Sequence, residues 1–178
     1  MKIKLLSIVV AFGLAVVAAG CGSGNSDKKA NEAYATGVCS AIGDWVTEVK
    51  SLATVNPAGI SKASLQKKLT QFETATKNLV SGIKAVPPPN TSEGTNAKKQ
   101  VNLFVTQVEA TSTAVKSAAS KIPSNASLSA IVPILAPLKP QLTTLASTAQ
   151  TTVKSLKNVG GSLQSAFESA DACKNLGG

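Results

Sequence analysis

Three long stretches of this chain place mostly apolar residues at steps of four and three. In the first, Tyr34, Val38, Ala41, Trp45, Val49 and Leu52 follow this spacing, and Ile42 and Val46 widen the stripe. In the second the positions are Leu65, Leu69, Phe72, Thr76, Leu79, Ile83 and Val86, with Thr76 the one polar interruption. In the third they are Ala97, Val101, Phe104, Val108, Thr111, Val115, Ala118 and Ile122. A helix turns once in about 3.6 residues, so each set lies along one side and asks for a neighbour to cover it. The spacing predicts helices over about 29–55, 61–86 and 95–122. Ser61 is a good cap for the second.

Proline supplies the stops. It disfavours helix in the residue before it and removes a backbone donor. Asn56-Pro57, Pro87-Pro88-Pro89 and Pro123 close the three segments in turn. The last third keeps helical spacing from Leu128 through Leu135, Leu142 and Ala149 to Leu156, but Pro133, Pro137 and Pro140 interrupt it. It predicts a short segment near 128–136 and a firm helix over about 138–158. Gly160-Gly161 then reads as a sharp turn, and Ser162 caps a final short helix that carries Leu163, Phe167 and Ala170 to Cys173. Aromatic residues are only 3% of the chain, which suits helices packed through small and medium aliphatics. The fold class is therefore all-α: an antiparallel bundle of about four main helices with a short C-terminal one. Trp45, the only Trp, falls within the first stripe and reads as a core residue.

The first twenty residues have a different character. Lys2 and Lys4 precede an uncharged apolar run from Leu5 to Ala19, and Ala18-Ala19-Gly20 lead to Cys21. The run is shorter than the ~20 residues a membrane-spanning helix needs. A basic start, a short apolar segment and small residues before a cut are the layout of a secretory signal. Residues 1–20 with Cys21 resemble the signal peptide and lipobox of bacterial lipoproteins, although Ala18 stands where a Leu-type residue is usual. The resemblance implies acylation of Cys21, as by palmitate, and anchoring at the extracytoplasmic face of the cell membrane. On this reading 21–28 is the lipidated Cys with a flexible tether, and 29–178 is the bundle domain. The mature part is similar to small lipoproteins of unassigned function from actinobacterial-type organisms. Val38-Cys39 with Trp45, and Ala166-Phe167 with Cys173, carry that similarity. It implies no activity.

With Cys21 acylated, Cys39 and Cys173 remain as an even pair outside the cytoplasm, where a structural disulfide is expected. All 18 cations are Lys, against 9 acids, and His and Arg are absent. Removing Lys2 and Lys4 leaves 16 against 9, or +7. Without His there is no Ser-His or Cys-His nucleophile and no HExxH zinc site. No phosphate-binding glycine loop or calcium loop occurs. Ser64-Leu65-Gln66-Lys67 and Ser81-Gly82-Ile83-Lys84 read SxxK, but the SDN and KTG partners of that chemistry are missing. The triplets Asn90-Thr91-Ser92 and Asn125-Ala126-Ser127 match a glycosylation acceptor by chance. Nucleic acid is excluded as a partner by the lack of Arg forks and stacking rings.

Non-enzymatic functions remain, with no cofactor and no metal. The leading expectation is a binding or scaffold module for an anionic envelope polymer or protein. Sorted by height in an up-and-down bundle, Lys50, Lys62, Lys67, Lys68, Lys116, Lys121 and Lys139 fall at the end far from Cys21, opposed by Glu48 alone. Lys62, Lys67, Lys68 and Lys121 are the candidate binding residues there. The alternative is a carrier of a small apolar ligand or lipid within the bundle, which an enlarged apolar cavity would favour.

Overall fold

The computed structural model describes residues 23–54, 62–122 and 128–176. The segment 1–20, Cys21, Pro57, Ser61 and the triplet at 125–127 lie outside the described residues. The four long helices are α1 (Ser23–Ala53), α2 (Lys62–Ala85), α3 (Ser92–Ser120) and α5 (Leu138–Leu156). The short α4 (Leu128–Leu135) precedes α5, and α6 (Gly161–Ser169) and α7 (Asp171–Lys174) follow it. Both α1 and α3 pack on α2 and on α5, so the long helices form an antiparallel ring in the order α1, α2, α3, α5. No helix among the described residues is long and apolar enough to cross a membrane.

The seams face inward as their spacing predicts. Val38, Trp45 and Val49 of α1, Phe72 and Leu79 of α2, Phe104 and Val108 of α3, and Leu145 and Val153 of α5 share one buried cluster. Each such side chain contributes about 1.5–3 kcal/mol by leaving water. Trp45 sits at the centre, edge-on to Phe104 at 5.5 Å and tilted against Phe72 at 6.5 Å. Its indole N–H donates to Thr76 Oγ1 at 3.2 Å. The polar break in the second seam is thus the acceptor that a buried indole needs. A buried donor left without one costs about 1–3 kcal/mol.

Three helix starts differ from expectation: α6 opens at Gly161 with Gly160 at its cap position, so Ser162 lies inside the helix and accepts from Asn31 instead of capping it. α1 begins at Ser23, inside the stretch read as a tether, because extending an existing helix gains one hydrogen bond for each residue fixed. α3 begins at Ser92 because Thr91 caps it: the residue is extended, and its Oγ1 accepts from the Gly94 N–H at 3.0 Å. The Asn90-Thr91-Ser92 triplet is therefore a helix start. A Cβ at Gly94 would run into the Pro89 carbonyl, so glycine lets the three-proline connector fold back onto the first turn of α3.

The prolines of the last third divide as their positions require. Pro140 lies in the first turn of α5, where backbone N–H groups have no intrahelical partner in any case. Pro133 lies inside α4 and removes a bond from a helix of only 8 residues.

At Gly160 and Gly161, φ is 91° and 59°, a left-handed turn that glycine adopts without strain. The chain reverses there, and α6 and α7 run alongside α1 in the same direction. Asn31 Nδ2 donates to Ser162 Oγ at 2.7 Å, and Tyr34 meets Phe167 edge-on at 6.0 Å. Further along, Cys39 and Cys173 form the expected disulfide, with Cα atoms 5.1 Å apart.

Candidate functional site

At the end of the ring where α1 finishes, the continuous core gives way to a partly enclosed apolar pocket of about 260 Å³. Leu52 and Ala53 of α1 and Leu65 and Leu69 of α2 form one side. Val132, Leu135 and Ala136 come from α4 and its end, and Leu138 and Leu142 from α5. Among the described residues Lys139 is the one charged lining residue. α4 reaches the main core through Leu135, its last residue, and the pocket lies beside that contact. The helix rests on a satellite cluster of Leu65 and Ile131, with Leu69, Ile122 and Leu135 around it. Pro133 and Pro137 keep α4 from continuing into α5 as one long helix. Val132 is left exposed among the pocket's lining residues.

Beside the pocket lies a second depression of about 520 Å³ between α1 and α5, and the two share Ala53, Lys139 and Leu142. The character changes across that boundary. The groove carries Lys50, Thr54, Thr143, Ser147 and Gln150, and no carboxylate among the described residues lines it. Lys50 and Lys139 are exposed, and neither ammonium makes an ion pair among the described residues.

The lysines expected to bind an anion are placed differently from one another. Lys67 and Lys121 are exposed, whereas Lys68 Nζ donates to Ser51 Oγ at 2.8 Å across the α1–α2 seam. The side chain of Lys62 lies outside the described residues. The expected opposition by Glu48 alone needs correction. Glu73 lies 3.0 Å from Lys77 and 4.0 Å from Lys116, because antiparallel α2 and α3 bring the middle of one helix against the last third of the other. Hydrogen bonding and charge from Lys77, then the charge of Lys116, hold the Glu73 carboxyl below its usual range.

Lys50 and Lys139 belong to the far-end charge set, yet the sequence does not single them out. A signal was there: Lys139 stands between Leu138 and Leu142, at the polar edge of an apolar stripe. The two SxxK stretches bring no site together. Ser64 and Ser81 are exposed on α2, as are Lys67 and Lys84. Among the described residues no group of three His, Cys, Asp or Glu side chains is placed to hold a metal ion. No protein-family model, curated protein or solved structure matches the chain.

Proposed function

We propose that this chain is a lipid-anchored, non-catalytic binding protein of the extracytoplasmic membrane face, and that it holds a small apolar ligand or the apolar end of a lipid. The observation that carries the ligand class is the apolar pocket at the end of the ring. An engineered apolar cavity of ~150 Å³ stays dry and takes a benzene-sized guest. The pocket here is larger, at about 260 Å³, while the core beside it is filled by Trp45, Phe72 and Phe104. The anchor rests on the apolar run that ends at Ala19-Gly20-Cys21. This reading stands above the scaffold one because the pocket is a defined concave space, whereas Lys68, one of the candidate anion-binding lysines, already donates to Ser51.

An apolar dye whose fluorescence rises out of water tests the ligand. Ala53→Phe and Leu69→Trp put bulk into the pocket and are expected to weaken dye binding by about tenfold or more while circular dichroism is kept. Equal binding by parent and both variants would defeat the reading. Intact-mass spectrometry of membrane-extracted protein tests the anchor: the expected first residue is an acylated Cys21, and Cys21→Ser is expected to release the protein from membranes.

A further inference from the structure

We infer that the ligand is an anionic amphiphile: an acyl chain whose end fills the pocket and whose phosphate-bearing, hydroxyl-rich head lies in the groove between α1 and α5. The inference rests on the pocket reading above and adds the chemistry of the head. Its first support is adjacency. The apolar pocket and the groove share Ala53, Lys139 and Leu142, which sets an apolar space beside one that carries lysines and hydroxyls as well as Val49 and Ala146.

Its second support is charge. Lys50 and Lys139 stand on the two walls of the groove, and among the described residues neither makes an ion pair and no carboxylate lines the groove. Two ammonium groups without a counter-charge suit an anion, and a phosphate offers several strong acceptors at once.

Its third support is the direction of the hydroxyl groups. Thr54 Oγ1 donates to the Lys50 carbonyl at 3.0 Å, Thr143 Oγ1 to the Lys139 carbonyl at 3.0 Å, and Ser147 Oγ to the Thr143 carbonyl at 3.2 Å. Each hydroxyl thus has its single proton committed to its own helix and keeps lone pairs for a ligand. The groove therefore accepts from hydroxyl donors while its lysines donate to an anion. A phosphate esterified to a polyol supplies both complements. A quaternary ammonium head supplies no donor and adds a cation beside two lysines. The small volume of the pocket admits the end of one chain, not a pair of chains.

The test uses the full-length chain carrying Cys21→Ser and three single-chain lipids of equal acyl length, each below its micelle concentration. Calorimetry compares a monoacyl phosphoglycerol, a monoacyl phosphocholine and a neutral monoacylglycerol. The phosphoglycerol is expected to bind about tenfold tighter than the phosphocholine at low salt, with the gap closing as salt rises. In the double variant Lys50→Glu with Lys139→Glu that preference is expected to disappear, while the monoacylglycerol binds parent and variant alike. Both lysines are exposed, and circular dichroism checks that the fold is kept. Equal binding of the phosphoglycerol and the phosphocholine, or a double variant that keeps the preference, would overturn the anionic head and leave the apolar reading standing. If none of the three lipids binds the parent protein, the apolar reading falls and this inference falls with it.

Discussion

Between the start of α1 and the level of Trp45, the interior is closed by contacts of several kinds at once. Tyr34 lies edge-on to Phe167, Asn31 bonds Ser162, Cys39 is joined to Cys173, and Trp45 is held by two rings and one hydroxyl. Here α6 and α7 lie against α1, α6 also touches α3, and Leu163, Phe167 and Cys173 add a layer to the shared core. At the other end no helix among the described residues is stapled to α1 in this way. Leu65 and Ile131 make their own small cluster, α4 carries a proline, and a pocket opens between four helices. One seam pattern thus produces a stapled, filled end and a thin, hollow one. The difference arises from what is attached to the ring. A chain that holds its shape by one end leaves the other free to admit a guest.

The strongest way to break this contrast is to remove the staple. The disulfide spans 134 residues. In the chain-entropy model a bridge across a loop of this order contributes about 5 kcal/mol. Cys39→Ala with Cys173→Ala, or reductant, is expected to lower the denaturation midpoint sharply. Amide exchange is expected to rise first in α6 and α7, because they depend most directly on the bridge. A midpoint that does not respond to reductant would remove the staple from the account.

Next in size is a comparison of matched truncations. Leu156→Ala removes a buried side chain of the main cluster and is expected to cost about 2–5 kcal/mol. Ile131→Ala removes one just as buried, but from the satellite cluster under α4. Its effect has a ceiling, because α4 can come away while the ring stays folded, so roughly 1–2 kcal/mol is expected. Urea melts of the two variants decide it. Equal losses would mean that α4 is part of one cooperative core.

A smaller effect tests how the filled end is specified. Thr76→Val keeps the shape but leaves the Trp45 N–H without an acceptor, at a cost of about 1–3 kcal/mol. In a Trp45→Phe background the same change is expected to cost almost nothing. A double-mutant cycle measures that coupling. Additive losses would show that the indole bond carries no energy.

The stapled end was far more legible in the sequence than the hollow one. The 4-and-3 spacing places the inward residues of α1, α2 and α3, and an even pair of cysteines gives the bridge. These features were readable because periodicity and covalent chemistry act locally or pairwise. Thr76 was visible as an exception, but its reason lay 31 positions away in Trp45. The closeness of Gly94 to Pro89 was not visible, since it depends on the path of the connector. The pocket was hidden for the same physical reason. Leu65, Leu69, Leu135 and Leu142 have the same apolar spacing as core residues, and only the position of α4 decides whether the space between them is filled. Lys50 and Lys139 gain meaning only once α1 and α5 are neighbours.

The smallest expected effect concerns Tyr34, which binds the stapled end to α6. Burial pushes its phenol up to about 12, from an ordinary value of 10.0. The folded chain therefore holds the proton more tightly than the unfolded one. The stability linked to this group is fully present below pH 10.0, and it is lost as the pH rises through about 12. The direction follows from the cost of a phenolate beside Phe167 in a site with little water. Tyr34→Phe keeps the edge-on ring and removes the titrating group. Urea midpoints of parent and variant are followed on alkalinisation. The parent is expected to fall further, by roughly 1–2 kcal/mol after allowance for partial hydration. Parallel losses across that window would mean that Tyr34 ionises as freely in the folded chain as in the unfolded one. The stapled end would then be open to water at the level where α6 meets α1.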